Sequence, residues 1–412
     1  MVPTENQKVV IVGGGQAAAF AIKAIGAADK VCSITLVSNE DSLPYDRPPL
    51  SKKCITGAKS FDSCLFFDDK FYRENQVELI LGCRVDEIDF GNRSLNINNR
   101  RSIKYDKLLI TTGSRNRTLE IEGIAPGEIL QLRTIEESKT ILAKVQSESS
   151  VLIIGGGFIG LELAASLSSL GKSVTVVEAN SQLMGRSIPF EIASVMQSRH
   201  ESAGVNIVLN STVGRVHKEQ GSYTAELEDG RSIVCGLIIA GIGVEPNVNF
   251  LEESSIALDN GIVVDEFGST SIDGVYAAGD VANFYHPLYQ RYMRLESWKH
   301  AQGHGSNTGK SLIGSSTEYS EIPWMWSDQY EYSLQLSGVT VDYTNRVQRG
   351  RSVSDGIIYF YMHGDQVIGA CGISEGPKIG RDIRVAGQLA KSRLGVDIEL
   401  LADPNQKLQA LL

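Results

Sequence analysis

Short, wholly apolar runs punctuate this chain. Residues 9–12 (VVIV), Lys107–Ile110, 151–154 (VLII) and 236–240 carry little or no alternation between polar and apolar positions. Runs of four or five such residues bounded by glycine read as strands buried on both faces, as in a parallel sheet. After residues 9–12 and 151–154 the apolar spacing changes to a helical period, so each of these strands feeds a helix. Residues 33–37 and Ser173–Val177 complete two strand–helix–strand units. Beyond position 323 the pattern differs. Residues 333–336, 356–362 and 366–370 alternate, which predicts antiparallel strands. Two helical stretches, 380–394 and 397–401, close the chain.

The turn after residues 151–154 holds Gly155, Gly157 and Gly160 in G-x-G-x-x-G register, with Phe158 and Ile159 opening the helix. In a dinucleotide fingerprint the three glycines allow a tight turn, close backbone approach to a pyrophosphate, and close helix–strand packing. The anion rests on the helix N-terminus, where free N–H groups and the helix dipole favour it. Glu178 ends the next strand, placed to accept from a ribose 2′-hydroxyl and to repel a 2′-phosphate, so NADH is expected over NADPH. A second fingerprint precedes it: Gly13, Gly15 and Ala18, with Gln16 and Ala17 between. Asn39 and Glu40 both fall near its ribose position. Glu40 is favoured, because a carboxylate can accept from two hydroxyls. Two fingerprints imply two dinucleotides, and FAD with NAD(P)H, here NADH by the Glu178 argument, is the pair that makes chemical sense.

The chain has 412 residues, too many for one ordinary core. The expected fold is α/β, two Rossmann-like nucleotide-binding domains plus an α+β C-terminal domain. The expected domains are a discontinuous FAD domain (1–114 and 246–322), an NAD domain (115–245) and a C-terminal domain (323–412). A net charge of −10 argues against nucleic-acid and anionic-membrane binding. No apolar run approaches a membrane span, and the N-terminus enters its strand too early for a signal peptide, so a cytoplasmic protein is expected. The six cysteines show neither C-x-x-C nor C-x-x-x-x-C spacing. A redox dithiol or a metal site is therefore not expected.

Other segments carry weaker signals. Three prolines within residues 43–52 read as a rigid loop, from which Lys52 can reach a flavin edge. Thr112 and Gly113, and later Gly243, mark Gly-rich crossings between domains. A short strand leads to Gly279 and Asp280, after which a helix start is expected; Asp280 suits a ribitol hydroxyl. Residues 307–311 (NTGKS) mimic the end of a phosphate-binding loop, but position 304 is His rather than Gly, and they are read as helix. Trp324 and Trp326 are expected to point to opposite faces.

Taken together, residues 43–52 (LPYDRPPLSK), 155–162 (GGGFIGLE), 240–247 (AGIGVEPN), 277–282 (AAGDVA), 294–297 (RLES) and 323–330 (PWMWSDQY) resemble the FAD-dependent pyridine-nucleotide oxidoreductases. The resemblance is nearest to the glutathione-reductase-like NADH-dependent ferredoxin reductases that serve bacterial oxygenases in aromatic catabolism. It implies that Lys52 and Glu162 meet near the flavin. It also implies that Arg47, Pro48, Val85, Arg133, Glu296, Ser297, Trp298 and Trp326 line the FAD site.

The expected reaction is hydride transfer from NADH to FAD, then single electrons to a [2Fe–2S] ferredoxin. The alternatives are a rubredoxin reductase or a flavoprotein sensor resembling apoptosis-inducing factor. The expected assembly is a monomer or homodimer. Ferredoxin docking is expected on a basic cluster: Arg291 and Arg294, or Arg346, Arg349 and Arg351, or Lys378, Arg381 and Arg384.

Overall fold

The computed structural model describes residues 7–28, 32–185, 187–219, 221–315 and 317–412. The chain folds as two compact units. The first runs to Asp46 and resumes over Cys64–Arg115 and Glu245–Pro323. The second takes Arg47–Ser63, Asn116–Val244 and Trp324–Leu412. The second unit thus contains the central fingerprint, the Pro-rich turn and the whole C-terminal segment.

The core of the first unit is a five-stranded parallel sheet in the spatial order Val275–Ala277, Lys107–Ile110, Gln7–Val12, Cys32–Val37, Val77–Ile80. Val9, Val10, Ile11 and Val12 are all buried, as a central parallel strand covered on both faces requires. Gly13 leaves this strand at φ +107°, where a Cβ would lie 2.4 Å from the Thr111 carbonyl oxygen. Helix Gln16–Gly26 follows and packs against helix Trp298–Leu312. Gly305 and Gly309 make that approach possible, since a Cβ at either would meet the backbone of Ala17 or Ala21 at 2.3–2.8 Å. Residues 307–311 therefore lie in a helix. After Gly279 the expected helix start is absent. A single 3₁₀ turn, Gly279–Val281, leads directly into strand Ala282–His286, which pairs with Ile262–Val264. Ala282 and Phe284 share one face of that strand, and both are buried.

The second unit repeats the plan. Its parallel sheet has the order Asn206–Val208, Ser173–Val177, Ser150–Ile154, Leu237–Ala240, Leu130–Gln131. Gly155 also sits at φ +107°, with a Cβ position 2.5 Å from the Gly241 carbonyl oxygen. At the third glycine position the two fingerprints differ. A Cβ at Gly160 would meet the Gly155 carbonyl oxygen at 2.2 Å, whereas Ala18 carries its methyl group fully buried.

The C-terminal sheet is antiparallel, in the order Trp324–Gln329, Tyr332–Gly338, Gln366–Glu375, Ile357–His363, Asn345–Arg349. Helix Gly380–Ser392 covers one face, with Ile383, Ala386 and Leu389 packed among Ile358, Phe360 and Met362. Trp324 and Trp326 do not diverge. Their rings stack at 5.1 Å with 22° between planes, because side chains two apart on a strand share a face.

Candidate functional site

The Pro-rich segment closes as a 3₁₀ turn, Pro48–Ser51, with proline in its first turn, where no N–H is missed. Two helices of the second unit hold it. Ser138 Oγ donates to the Leu50 carbonyl at 3.0 Å, and Ser166 Oγ donates to that of Ser51 at 2.8 Å. Arg47 Nη1 donates to the Arg133 carbonyl at 2.5 Å, just before the capping box that starts helix Ile135–Ser147. The turn thereby aims Ser51 and Lys52 at helix Phe158–Ser169, on which Glu162 sits two residues past the fingerprint.

Glu162 is 5 % exposed and its carboxylate accepts from three donors. Lys52 Nζ lies 2.9 Å and Ser327 Oγ 2.7 Å from Oε1, while Ser51 Oγ lies 2.5 Å from Oε2. A buried ion pair repays its desolvation only when extra hydrogen bonds satisfy the remaining lone pairs. Two hydroxyls do so here. Lys52 remains 20 % exposed, and its ammonium stands 5.9 Å from the centroid of the Trp326 ring. The arrangement presents one fixed positive charge beside an indole, with its counter-charge buried behind it.

Gly157 caps its helix without a side-chain bond, and the nearest atom to a Cβ there is 3.8 Å away. Gly15, in the same role in the first unit, has nothing within 4 Å. Among the described residues nothing crowds either helix N-terminus or bonds its first-turn N–H groups, a shape and polarity that fit a pyrophosphate. Phe158 and Ile159 lie in the first turn, and Ile159 is exposed. Glu178 accepts from Gly156 N at 2.7 Å and from Asn180 N and Nδ2 at 2.8 and 2.6 Å. Its charge is held against the Gly-rich turn. Gly243 takes φ +97° at the second crossing.

The first unit gathers the other expected residues. Gln16 Nε2 donates to the Trp298 carbonyl at 2.9 Å, and Trp298 Nε1 donates to Asp46 at 2.8 Å, so the tryptophan is anchored at both ends. Ser297 caps its helix. Thr112 Oγ1 donates to the Asn247 carbonyl, and Gly113 takes φ +66°. Gly279, at φ +78°, lies against Ala17 of the fingerprint helix. Asp280 accepts from Ser114 at 3.4 Å, and its carbonyl accepts from Arg294, which pairs with the exposed Glu296. Glu40 accepts from Tyr45 at 2.5 Å, and Asn39 is exposed. Val85 packs its side chain into the hydrophobic core.

Of the basic clusters, the middle one keeps Arg351 exposed but loses Arg349 to the interior. Arg349 is 6 % exposed and donates to the carbonyls of Leu401, Asp403, Pro404 and Gln406, so it ties down the C-terminal segment. Arg346 is paired with Glu191. Lys378, Arg381 and Arg384 are exposed at and along helix Gly380–Ser392.

Sequence reading missed Ser51 and Ser327, which complete the Glu162 shell. Ser327 and Gln329 are two polar residues of one parity on a strand, both buried, and that parity was the available signal.

Residues 7–305 match the family described as pyridine nucleotide-disulphide oxidoreductase, and residues 324–412 match the reductase C-terminal family. The chain is 31 % identical over 404 residues, 98 % of each chain, to the ferredoxin–NAD(+) reductase component of the anthranilate 1,2-dioxygenase system of Burkholderia cepacia. It is 30 % identical to putidaredoxin reductase of Pseudomonas putida, covering 99 % of this chain and 97 % of that one. The crystal structure of the ferredoxin reductase for the CYP199A2 system of Rhodopseudomonas palustris superposes with TM-score 0.93 at 31 % identity, covering 99 % and 100 % of the two chains.

Proposed function

The chain belongs to the pyridine nucleotide-disulphide oxidoreductases, and on that premise we propose that it is an FAD-dependent NADH:ferredoxin oxidoreductase serving an oxygenase. The observation that carries the reading is the pair of fingerprints with one backbone geometry, φ +107° at both Gly13 and Gly155. The cysteines support the choice of outlet. No C-x-x-x-x-C pair follows the first fingerprint, and Cys54 and Cys64 are buried thiols not joined in a disulfide, so electrons are not relayed through a disulfide.

The nucleotides, when bound, supply hydride transfer from nicotinamide to isoalloxazine and release of single electrons to the acceptor. Gly13, Gly15, Ala18, Glu40 and Asp280 are assigned to FAD. Gly155, Gly157, Gly160 and Glu178 are assigned to NADH. The Lys52 ammonium, braced by Glu162, would offer a preorganised positive charge to the isoalloxazine, which gains electron density on reduction, and Trp326 would form a wall of that site. The Glu178 carboxylate disfavours a 2′-phosphate. Lys378, Arg381 and Arg384 form the surface assigned to an acidic [2Fe–2S] ferredoxin. The protein is assigned to the cytoplasm, as a monomer or homodimer; no described helix is long and apolar enough to cross a membrane.

The test is anaerobic mixing of the yellow protein with NADH and then with a [2Fe–2S] ferredoxin. Rapid bleaching followed by stepwise recovery matched to ferredoxin reduction is expected. Recovery by rubredoxin alone, or by no iron–sulfur protein, overturns the acceptor assignment. A colourless protein that takes up no FAD overturns the whole reading.

A further inference from the structure

Behind Glu162 a row of hydrogen bonds runs away from Lys52 within the second unit. Ser327 Oγ stands 2.7 Å from Glu162 Oε1, and Gln329 Nε2 stands 3.0 Å from Ser327 Oγ. His200 Nε2 is 2.8 Å from Gln329 Oε1, and the Tyr330 hydroxyl is 3.2 Å from His200 Nδ1. Ser327, Gln329 and His200 are fully buried.

The carboxylate sets the direction of every bond in the row. An ionised Glu162 only accepts, so Ser327 spends its one proton there and its Oγ must accept from the Gln329 amide. That leaves the Gln329 carbonyl facing His200, which must carry its proton on Nε2. His200 Nδ1 is then a bare acceptor, and Tyr330 donates to it. All four donors point one way and end on Glu162, an arrangement in which each bond polarises the next.

The far end is anchored at a conformational cost. Tyr330 sits at φ +53° in the two-residue turn joining Trp324–Gln329 to Tyr332–Gly338, a corner where glycine is free of strain. The Arg199 guanidinium lies 4.0 Å from its ring centroid, and Arg199 is itself bound to Glu331 through two bonds of 2.7 and 2.9 Å.

We propose that His200, Gln329 and Ser327 are positioning residues that hold the Glu162 carboxylate aimed at Lys52. The inference rests on the reductase reading only for what the Lys52–Glu162 pair serves. The charged and titratable groups around the row are Lys52 at Glu162, and Arg199, Glu331 and Tyr330 at His200. Burial holds His200 below its ordinary value, so the neutral ring the row demands is present at pH 7.

Two measurements on the full-length protein test this. The first is the ring tautomer of His200, read by nitrogen NMR of protein labelled at its six histidines. The Nε2–H form is expected, with resonances that move in Glu162→Gln. An Nδ1–H form, or resonances indifferent to Glu162→Gln, overturns the proposal. The second is reduction by NADH, with no ferredoxin present, resolved into a limiting rate and the NADH concentration that half-saturates it. Ser327→Ala removes a donor to the carboxylate and frees it to turn from Lys52, so the limiting rate falls about tenfold, as loss of a bond to a charged group implies, while half-saturation holds. His200→Leu should lower the limiting rate the same way, and His200→Gln, whose amide can donate to Gln329, should restore it. An unchanged limiting rate in Ser327→Ala, or equal rates for the two His200 variants, overturns the proposal. If NADH leaves the protein unreduced, the functional reading fails, and the tautomer alone decides this inference.

Discussion

The backbone N–H of Gly279 donates to His304 Nδ1 at 3.3 Å, so the turn that precedes Asp280 is pinned by a neutral imidazole. That ring belongs to a buried cluster: His304 stacks on Tyr319 at 4.8 Å, His300 stacks on Phe284 at 4.9 Å, and His300 Nδ1 meets the Tyr319 hydroxyl at 3.2 Å. Burial pushes His300 down to about 4 and His304 well below its ordinary value. Both rings stay neutral in the folded protein, while the unfolded chain takes up protons near pH 6.5. Stability is therefore complete above about pH 6.5 and is lost as pH falls toward 4. His300 alone accounts for about 3 kcal/mol across that window. Thermal melts from pH 8 to 4 should show this fall, and His300→Phe should make it shallower.

Gly155 and Gly157 should respond differently to the same methyl group. Alanine at Gly155 meets both an unfavourable φ and the Gly241 carbonyl, and should lower Tm. At Gly157 φ is −80° and the methyl enters open space, so Tm should hold while NADH binding weakens. Melting curves paired with NADH titrations separate the two.

Lys52→Met leaves the Glu162 carboxylate buried with hydroxyl partners only. Breaking a buried pair from one side costs on the order of 3–5 kcal/mol. Adding Glu162→Gln should recover much of that loss, and a double-mutant cycle in urea measures the coupling. Reduction by NADH should stay slow in both single variants and in the double.

Glu178→Gln keeps an oxygen to accept the Gly156 N–H and removes the negative charge. The preference for NADH over NADPH should shrink by about tenfold, read as a ratio of kcat/KM values. Unchanged discrimination would detach Glu178 from cofactor choice.

Arg349 and Arg384 should divide stability from docking. Arg349→Met strips the partners from four carbonyls of the C-terminal segment and should lower Tm. Arg384→Glu, at an exposed helix position, should leave Tm intact, raise KM for ferredoxin and flatten its salt dependence. An unchanged KM would move the docking surface elsewhere.

Local chemistry made much of this protein legible from its residues in order. Parallel strands at 9–12 and 151–154 follow from apolar runs that only a doubly covered sheet can hold. The fingerprint turns follow from glycines whose φ and close contacts exclude other residues. The position of Glu178 against the Gly-rich turn follows from its place at a strand end. Each of these rests on neighbours within about one supersecondary unit, where period, turn and cap are set by adjacent residues. What surrounds Glu162 is of another kind. Ser51, Ser327, Gln329 and His200 come from a 3₁₀ turn, an antiparallel strand and a helix far apart in the chain, and no spacing rule links them. The burial of Arg349 and the stacking of Trp324 on Trp326 also depend on which faces of a strand the rest of the fold covers. Hydrogen-bond direction and burial are properties of a packed interior, and they arise only once distant segments share it.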